Sequence, residues 1–332
     1  MTKDPDVLSF LITNKCTANC DICCFRCSPE NDSFLTTQFM ETVIENSVKT
    51  GKIKKVGFSG GEPFLAFEQM LYAADAAKKH GCSVVCTSNG FWGYSYASAI
   101  EKLQLFKDAG LSKLSLSCDL FHNEYVDVSC WKNIILACNE LEIYLDVGSV
   151  LTKSKCDLAP ILSELSDSLI NVPHYRVPCQ PIGNAVDRIE SSDFFYDELL
   201  LNKENKCYEL ISLITYLDGN VYPCCSQFGR TESLRLGSMS GGDVEKLFES
   251  YHANAYIRIL KRYGLHWFVD IAKTLGYSSI IDRKYVSKCH LCNTILTDNI
   301  FLVKIEPYIA KEKEKKAMHE ACLKVGADIF SW

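Results

Sequence analysis

The sequence predicts an α/β protein that begins with an open, partial (β/α)6 barrel and continues into a smaller α+β domain. Two observations favour this fold class. Short apolar runs alternate six times with helix-length segments, and the alternation stops near residue 190. Strand-then-helix units repeated in this way are typical of parallel strands joined by crossover helices. Six units are too few for a closed barrel of eight strands, so we predict an open sheet and domains over residues 1–190 and 191–332.

The predicted strands are short and apolar, and the segments between them carry apolar residues near helical spacing. The strands are residues 7–13, 55–59, 82–88, 113–117, 143–150 and 175–179. The clearest helices are residues 37–49, 67–80, 97–109 and 158–168. The second part of the chain is more polar at first, and it then gives a hairpin-like segment over residues 213–225 and long helical stretches.

Composition narrows the class of protein. The chain has 332 residues, of which 47% are hydrophobic and 23% charged, as in ordinary globular proteins. It contains no long apolar run and no apolar signal segment, so we predict a cytoplasmic protein with no membrane partner. The net charge of -6, without a long basic stripe, argues against binding to nucleic acid. Eighteen cysteines without a signal peptide indicate metal ligands and reduced thiols rather than disulfides.

Three cysteines follow the first predicted strand directly. Cys16, Cys20 and Cys23 have the spacing Cys-x3-Cys-x2-Cys. A structural zinc site or a closed 4Fe-4S cluster uses four such ligands, whereas three thiolates leave one metal position open for chemistry. A Gly-Gly-Glu-Pro run at residues 60–63 follows the second strand. Because active residues of parallel α/β proteins gather at the carboxyl ends of the strands, we expect the two motifs to meet there.

This pair of motifs resembles the radical S-adenosylmethionine (radical SAM) enzymes over the whole predicted first domain. The resemblance implies a 4Fe-4S cluster held by Cys16, Cys20 and Cys23, whose open iron is chelated by S-adenosylmethionine. Reduction of the cluster then splits the cofactor into methionine and a 5'-deoxyadenosyl radical. The resemblance also implies an electron donor such as flavodoxin or ferredoxin.

Further cofactor contacts are implied at the ends of the strands. Gly60 and Gly61 let the backbone approach the ligand closely, and Glu62 is an acceptor for the methionine ammonium group. The family places ribose and carboxylate contacts after the third and fourth strands, where this chain has short polar clusters. Each of these clusters, taken alone, is also typical of a turn. The polar residues concerned are Ser88, Asn89, Ser117 and Asp119.

The predicted second domain carries four cysteines of its own. The spacing from Cys207 through Gly219 to Cys224 is Cys-x11-Gly-x4-Cys, which resembles the opening of the SPASM or shorter twitch extension. That extension holds an auxiliary iron-sulfur cluster. With Cys289 and Cys292, the chain offers four thiolates, enough for one closed auxiliary 4Fe-4S cluster. A zinc site of the same four cysteines is the alternative, because sequence does not separate the two in an all-thiolate set.

Cys225 adjoins Cys224 and is not needed for the auxiliary cluster. A spare thiol at that place can give a hydrogen atom to a substrate radical. The alternatives are that Cys225 only packs, or that it replaces Cys224 as the ligand.

Stretches spread over nearly the full chain resemble a narrower group, the YydG-type peptide epimerases. They are residues 23–29, 88–93, 222–226, 259–268 and 289–292.

The narrower resemblance implies that the radical abstracts a Cα hydrogen from an L-residue of a ribosomally synthesised precursor peptide. Cys225 would then return a hydrogen to the opposite face, which converts the residue to its D-form. An acidic partner for that thiol has no certain counterpart in this chain. Ser212 or Ile211 falls near the expected place, and Glu209 or Asp218 is a substitute.

Two rival functions remain open at this point. One is a peptide maturase that uses the same radical to form a thioether or carbon-carbon crosslink, and the other is a non-catalytic metal-binding scaffold. Few residues precede the first strand, so we expect no separate peptide-binding wing there. Leader recognition would then use the barrel mouth, the second domain or another protein.

Overall fold

An open sheet of nine strands forms the centre of the protein. The structure, a computed structural model, describes residues 4–203, 205–208, 210–239 and 243–324, without the side chains of residues 316 and 318–324. The strands are β1 (Val7–Thr13), β2 (Lys55–Gly60), β3 (Ser83–Ser88), β4 (Leu111–Ser117), β5 (Tyr144–Leu151), β6 (His174–Pro178), β7 (Ser212–Thr215), β8 (Asn220–Tyr222) and β9 (Gly237–Ser238). Their order across the sheet is β6-β5-β4-β3-β2-β1-β7-β8-β9.

The first six strands confirm the predicted partial barrel. Each neighbouring pair from β1 to β6 is parallel, as strands joined by crossover helices must be. Every predicted strand agrees with the observed one to within two residues at both ends. The sheet ends at β6 on one side and at β9 on the other, so it is open.

Helices cover the sheet and build most of the C-terminal part. They are α1 (Thr37–Lys49), α2 (Phe67–Lys79), α3 (Tyr96–Asp108), α4 (Leu120–Asn123), α5 (Val128–Glu140), α6 (Ala159–Leu165), α7 (Ala185–Arg188), α8 (Val244–Ala253), α9 (Ala255–Arg262), α10 (His266–Thr274), α11 (Ser278–Ile281), α12 (Lys288–Thr297) and α13 (Asn299–Lys324). Side chains of Thr36, Ser95 and Asp127 cap α1, α3 and α5 by accepting a backbone N–H of the first turn. The predicted helix over residues 158–168 is shorter, because Ser166 has φ +41° and the chain tightens into a 3-10 turn there.

Strand β1 is buried on both faces. Leu8, Phe10 and Ile12 are fully buried in the main core. Leu11 belongs to a separate apolar cluster with residues of β7 and β8, against which Phe25 packs. Burial on both faces explains why this strand is mostly apolar in the sequence, with Ser9 as its one interior polar residue.

The C-terminal part extends the same sheet. Strand β7 pairs with β1 in parallel, with Val7 opposite Ser212 and Phe10 opposite Thr215. It then forms an antiparallel hairpin with β8, as the sequence predicted. The second set of cysteines is thereby attached to the strand that leads to the first set. None of the helices in the described part of the chain combines the length and apolar character needed to span a membrane.

Candidate active site

The loop after β1 brings the three predicted cluster ligands close together. Cys20 is buried, and Cys16 and Cys23 are half-buried. The Cys23 N–H donates to the Cys20 carbonyl at 3.1 Å, and the Cys16 N–H donates to the Ser28 carbonyl at 3.1 Å. Burial raises the pKa of the Cys16 thiol to about 11 and raises that of Cys20 more, and negative charge on neighbouring ligand thiols adds to both shifts. Cys23 differs from these two, because hydrogen bonds to its sulfur lower its pKa despite burial.

Two glycines let the end of β2 pack against this loop. Gly60 has φ +127°, and a Cβ on it would lie 2.4 Å from the Thr13 carbonyl oxygen. A Cβ on Gly61 would lie 2.0 Å from the carbonyl oxygen of Lys15. The Gly61 N–H donates to Thr13 O at 2.7 Å. The close approach seen here joins two backbone segments, whereas the sequence analysis expected these glycines to make room for a ligand.

Glu62 is a fully buried carboxylate at the centre of a hydrogen-bond network. Its Oε1 accepts from the Phe64 N–H at 3.0 Å and from Ser88 Oγ at 2.9 Å. Its Oε2 accepts from the Asn89 N–H at 2.7 Å. A carboxylate has about four acceptor positions, so one position on Oε2 remains after these three bonds. Burial raises the pKa of Glu62 to about 7, although these hydrogen bonds oppose the shift.

Ser88 and Asn89 link Glu62 to the cysteine loop. Ser88 Oγ donates to Glu62 and accepts from the Gly90 N–H and from Trp92 Nε1. Its donor and both acceptor positions are thus engaged, so a ribose contact by Ser88 would have to replace one of these bonds. Asn89 Nδ2 donates to Thr17 Oγ1 at 3.0 Å and lies 3.6 Å from Cys16 Sγ. Asn89 therefore contacts a predicted cluster ligand directly.

Asp119 caps α4 at the end of β4. It is fully buried, and its Oδ1 accepts from the N–H groups of Phe121 and His122. His122 Nδ1 lies 2.9 Å from the same oxygen, and Oδ2 accepts from the Val150 N–H at 3.0 Å. Burial alone would lower the pKa of His122, but Asp119 raises it overall, and Cys23 and Glu62 add to the rise. Ser117, at the end of β4, is half-buried.

The sequence analysis missed the segment that holds the cysteine loop from the other side. After β6, the Asn184 N–H donates to Cys23 O at 2.9 Å, and Asn184 Nδ2 donates to Cys20 O at 3.0 Å. A Cβ on Gly183, which has φ +63°, would lie 2.2 Å from Cys23 O. A Gly-Asn pair is a turn signal in sequence, but nothing local shows which loop it will contact.

The four cysteines of the C-terminal part line one pocket. Cys289 and Cys292 stand three residues apart in the first turns of α12, so they share a face of that helix. Cys207 and Cys224 come from separate segments, and apolar side chains such as Leu260 complete the wall. Burial raises the pKa of both Cys289 and Cys292, and Cys207 adds to each shift. Folding therefore gathers thiols that are 85 positions apart in the sequence, from 207 to 292.

Cys224 and Cys225 face different surroundings. Cys224 is buried and lines this pocket, and the Ser226 N–H lies 3.4 Å from its sulfur. Cys225 is exposed, and it is not among the described residues that line the pocket. A side-chain hydrogen bond between the two thiols is the main cause, ahead of burial, that raises the pKa of Cys224. Of the two cysteines, Cys224 is the one placed with the other three.

Comparison with known proteins gives a family match for an N-terminal part of the chain. Residues 10–138 match the model of the radical SAM superfamily. The chain carries a radical SAM domain. The match includes Cys16, Cys20, Cys23 and Glu62, and it ends within α5.

The comparison also finds relatives and solved structures that match longer parts of the chain. The chain is 26% identical over 307 residues to the "Putative peptide biosynthesis protein YydG" of Bacillus subtilis (strain 168), covering 92% of this chain and 96% of YydG. It is 28% identical over 189 residues to a "Probable GTP 3',8-cyclase" of Methanocaldococcus jannaschii, covering 55% of this chain and 58% of that protein. The structure of native anSMEcpe with bound AdoMet gives a TM-score of 0.57 at 14% identity, covering 92% of this chain and 98% of that one. At that identity the structural likeness shows the fold alone.

The donors of the cysteine loop fit the cofactor of a radical SAM domain. Such a domain carries a 4Fe-4S cluster and binds S-adenosylmethionine, and cysteine thiolates are the usual protein ligands of that cluster. In the described part of the chain, no three cysteine, histidine, aspartate or glutamate side chains are already arranged around one point as a metal ion requires. A 4Fe-4S cluster binds each thiolate to a different iron, so its three ligands need not converge on one point.

The raised pKa of Glu62 predicts a pH-dependent stability for the radical SAM domain. Its pKa is about 7 in the folded protein and 4.5 for an ordinary glutamate, so the folded state holds this proton where the unfolded state releases it. The resulting stabilisation is complete below about pH 4.5 and is lost as the pH rises through about 7. We compare the free energy of unfolding of wild type with that of Glu62→Gln. The difference, wild type minus variant, should fall by up to about 3 kcal/mol between about pH 4.5 and 7. Urea unfolding of both proteins measures it, and a constant difference contradicts the expectation.

The close packing of Gly229 against Cys224 predicts that an alanine at position 229 disturbs the pocket of four cysteines. A Cβ on Gly229 would lie 2.6 Å from Cys224 Cβ and 2.9 Å from its sulfur, so Gly229→Ala displaces that thiol. If the pocket holds the auxiliary 4Fe-4S cluster that the sequence analysis predicts, the iron content falls from about eight to about four per chain, because that cluster loses its Cys224 ligand. Gly148→Ala is the matched control, since a Cβ there meets nothing within 4 Å. Iron analysis after anaerobic reconstitution measures both, and unchanged iron in Gly229→Ala contradicts the expectation.

Proposed function

We propose that the protein is a radical SAM peptide epimerase that converts L-residues to D-residues in a ribosomally synthesised precursor peptide. The bound cofactor supplies the 5'-deoxyadenosyl radical that removes the Cα hydrogen. Cys225 then donates its thiol hydrogen atom to the opposite face of the planar Cα radical. The product residue has the same atoms as the substrate residue and the opposite configuration. An electron donor such as flavodoxin or ferredoxin provides the reducing electrons.

The placement of Cys224 and Cys225 is the observation that carries this proposal. Cys224 shares a pocket with three other cysteines, which leaves Cys225 as an exposed thiol beside them. A hydrogen-atom donor must reach the substrate, and exposure meets that requirement. The C-terminal part, proposed as a domain over residues 191–332, thereby supplies the thiol, while the radical SAM part over residues 1–190 supplies the radical.

Tyr216 connects the two parts of the site. It is buried, and its hydroxyl donates to Gln227 Oε1 at 3.0 Å. Burial raises the pKa of Tyr216, and the nearby Arg230 opposes the rise. The ring of Tyr222, three residues before Cys225, packs edge-on against the Tyr216 ring with centroids 5.3 Å apart. Phe25 packs edge-on against the same ring, with centroids 6.5 Å apart. The segment after Cys23 and the segment of Cys225 therefore border one region, which is where we place the peptide.

The pocket of four cysteines is proposed to hold the auxiliary 4Fe-4S cluster. Its ligands are Cys207, Cys224, Cys289 and Cys292. Apolar walls around an all-thiolate set suit either this cluster or zinc. We favour the iron-sulfur cluster because a thiol that has given up a hydrogen atom needs one electron and one proton to return to its resting form. A redox centre bound by the neighbouring residue is in position to pass that electron.

The hydrogen-bond network around Glu62 leaves one acceptor position unused, and the proposed cofactor contacts at the radical site start from it. Cys16, Cys20 and Cys23 are proposed as the cluster ligands. The open acceptor position on Glu62 Oε2 suits the methionine ammonium group of S-adenosylmethionine. Ser88 has its hydrogen-bonding capacity engaged, so we assign it a structural role between Glu62 and the strands.

The remaining proposed cofactor contacts keep their sequence-based assignment. Asn89 and Ser117 stay proposed ribose or carboxylate contacts, with Asp119 orienting His122 beside them. Gly60 and Gly61 position Glu62.

The relation to YydG supports a peptide as the substrate class, because that protein is named for peptide biosynthesis. We place the reaction in the cytoplasm, where reduced electron donors are available.

The acidic partner of Cys225 is the weak point of an epimerase assignment. Asp218 accepts from the Asn220 N–H at 3.0 Å and forms an ion pair with Arg230 at 2.6 Å, and these contacts lower the pKa of its carboxyl group although burial opposes them. Ser212 begins β7 and is buried, and the Ile211 carbonyl accepts from the Asp6 N–H at 3.0 Å. Glu209 lies outside the described residues. The rival function is a maturase that uses the same radical to form a thioether or carbon-carbon crosslink.

One experiment separates these functions. The reduced, reconstituted protein is incubated with S-adenosylmethionine and a short peptide encoded beside its gene. Epimerisation predicts release of 5'-deoxyadenosine, a peptide of unchanged mass, and D-residues after acid hydrolysis. Crosslinking predicts the loss of two hydrogens from the peptide. A metal-binding scaffold predicts no 5'-deoxyadenosine at all.

A further inference from the structure

Strand β6 forms the free edge of the partial barrel. It pairs in parallel with β5 and is the last strand on its side of the sheet. The Val147 N–H donates to the Pro173 carbonyl at 2.9 Å at one end of this pairing, and the Cys179 N–H donates to the Leu151 carbonyl at 2.7 Å at the other. The main-chain groups of successive residues in a strand point to opposite sides. The odd-numbered residues of β6 therefore bond to β5, and the even-numbered residues point their main-chain groups away from the sheet.

Arg176 presents the central pair of these outward groups, one N–H donor and one C=O acceptor. Its side chain is exposed, and its neighbours Tyr175 and Val177 are 55% and 46% exposed. Pro178 has no N–H, and its carbonyl accepts from Gln180 Nε2 at 3.0 Å, so the row of outward groups ends there. An exposed strand edge of this kind is a template for pairing with another extended segment.

The inner face of the barrel beside β6 is also exposed. Tyr175 lies opposite Gly148 and Val177 lies opposite Val150, so these four residues share one face of the sheet. The other face, which carries Val147, belongs to the main core under the helices. A Cβ on Gly148 would have no atom of the described residues within 4 Å. A strand added beside β6 would therefore direct every second side chain to an open part of the barrel interior.

The free edge leads to the proposed radical site. The chain that continues from the carboxyl end of β6 reaches the cysteine loop, where the Asn184 N–H donates to Cys23 O at 2.9 Å and Asn184 Nδ2 donates to Cys20 O at 3.0 Å. All neighbouring pairs from β1 to β6 are parallel, so the carboxyl end of β6 and the loop after β1 lie at the same end of the sheet. An extended peptide paired with β6 would thus run toward the proposed ligands of the radical SAM cluster.

We propose that the precursor peptide binds in extended form as an added strand, paired with the free edge of β6 through the main chain of Arg176. The inference rests on the proposed function only in taking a peptide as the substrate, and it applies to epimerisation and to crosslinking alike. In strand addition, main-chain hydrogen bonds supply the affinity and fix the register of the peptide. Binding then depends on the N–H and C=O groups of alternate peptide residues.

Two substitutions at position 176 separate the main chain from the side chain. Arg176→Pro removes the outward N–H, and proline is tolerated on an edge strand where the N–H faces away from the sheet. Arg176→Ala is the matched control, because it removes the guanidinium group and keeps the N–H. The probe is the peptide encoded beside the gene, labelled with fluorescein. Fluorescence anisotropy with the full-length reconstituted protein gives its dissociation constant.

We expect Arg176→Pro to raise the dissociation constant about tenfold or more, because it removes a main-chain hydrogen bond and adds ring atoms at the edge. Arg176→Ala should stay within about threefold of wild type. Equal affinity of Arg176→Pro and wild type overturns the proposal. Equal losses in the two variants also overturn it, because the side chain is then the group that is recognised. Iron content and circular dichroism show whether each variant is folded.

If Arg176→Pro does not fold, N-methylation of the peptide tests the same contact on the wild-type protein. Methyl groups are placed on one peptide nitrogen at a time. Strand addition predicts that binding weakens at every second residue within one stretch of the peptide, since only alternate N–H groups face β6. A scan without this alternation overturns the proposal.

A second copy of the chain is the other candidate for the edge of β6. A peptide-free protein that sediments as a dimer, and as a monomer after Arg176→Pro, would overturn the proposal in favour of that copy. Binding weakened only by Arg176→Pro, without D-residues in the product, would contradict epimerisation and leave the role of β6 intact. D-residues formed with unchanged affinity in Arg176→Pro would contradict only the role of β6. A wild-type protein that does not bind the peptide would contradict both.

Discussion

Replacing Cys225 with alanine is expected to lower the rate of D-residue formation by roughly 100-fold or more, the scale lost when a positioned hydrogen-transferring group is removed. Formation of 5'-deoxyadenosine should continue, because the radical SAM site does not involve Cys225. The Cα radical then lacks its donor and is quenched without controlled inversion. Chiral analysis of the hydrolysed peptide and quantification of 5'-deoxyadenosine measure the two effects separately.

A matched control makes this result specific to the position of the thiol. Cys156→Ala also removes an exposed cysteine, which lies between β5 and α6 and whose thiol donates to the Lys153 carbonyl at 3.3 Å. It should epimerise the peptide at the wild-type rate. Iron content must be the same in both variants and in wild type, which shows that Cys224 still holds its cluster. Normal inversion by Cys225→Ala would refute the assignment of the hydrogen donor.

Glu62→Ala is expected to destabilise the protein by about 3 kcal/mol or more and to weaken the binding of S-adenosylmethionine. Three donors, the Phe64 N–H, Ser88 Oγ and the Asn89 N–H, lose their acceptor inside the core. Each unsatisfied buried donor costs about 1 to 3 kcal/mol, and water entering the space offsets part of the sum. The ligand loses its proposed ammonium acceptor at the same time.

Two measurements test the prediction for Glu62→Ala. Urea unfolding gives the loss of stability, and equilibrium dialysis of the reconstituted protein gives the affinity for S-adenosylmethionine. Glu68→Ala is the control, since Glu68 is an exposed carboxylate in the first turn of α2. It should change neither quantity by more than about 0.5 kcal/mol. A Glu62→Ala protein with wild-type stability and affinity would show that the network around Glu62 is unimportant.

The barrel strands were predictable because each is a local signal. Strand β1 is buried on both faces, so it is an apolar run that any window of seven residues detects. The pairing of β7 with β1 was not predictable in this way, because Ser212 and Val7 are brought together only by the fold. The break of the sixth helix at Ser166 was also missed, since it depends on one residue taking a left-handed conformation.

The same distinction between local signals and distant contacts applies to the candidate site. The spacing of Cys16, Cys20 and Cys23 is local, and it predicted the loop without any structure. The pocket of four cysteines required a family resemblance, because spacing alone does not tell which distant thiols meet. The bonds from Asn184 to the cysteine loop join residues more than 160 positions apart, and only the fold shows them.

Reaction of the wild-type protein with its peptide in deuterated water tests the central claim most directly. The thiol hydrogen of Cys225 exchanges with solvent, so the account predicts one deuterium at the Cα of each inverted residue and no loss of other atoms. Mass spectrometry locates the label, and chiral analysis shows that the labelled residues are the D-residues. A peptide that loses two hydrogens and gains no Cα deuterium would contradict the account.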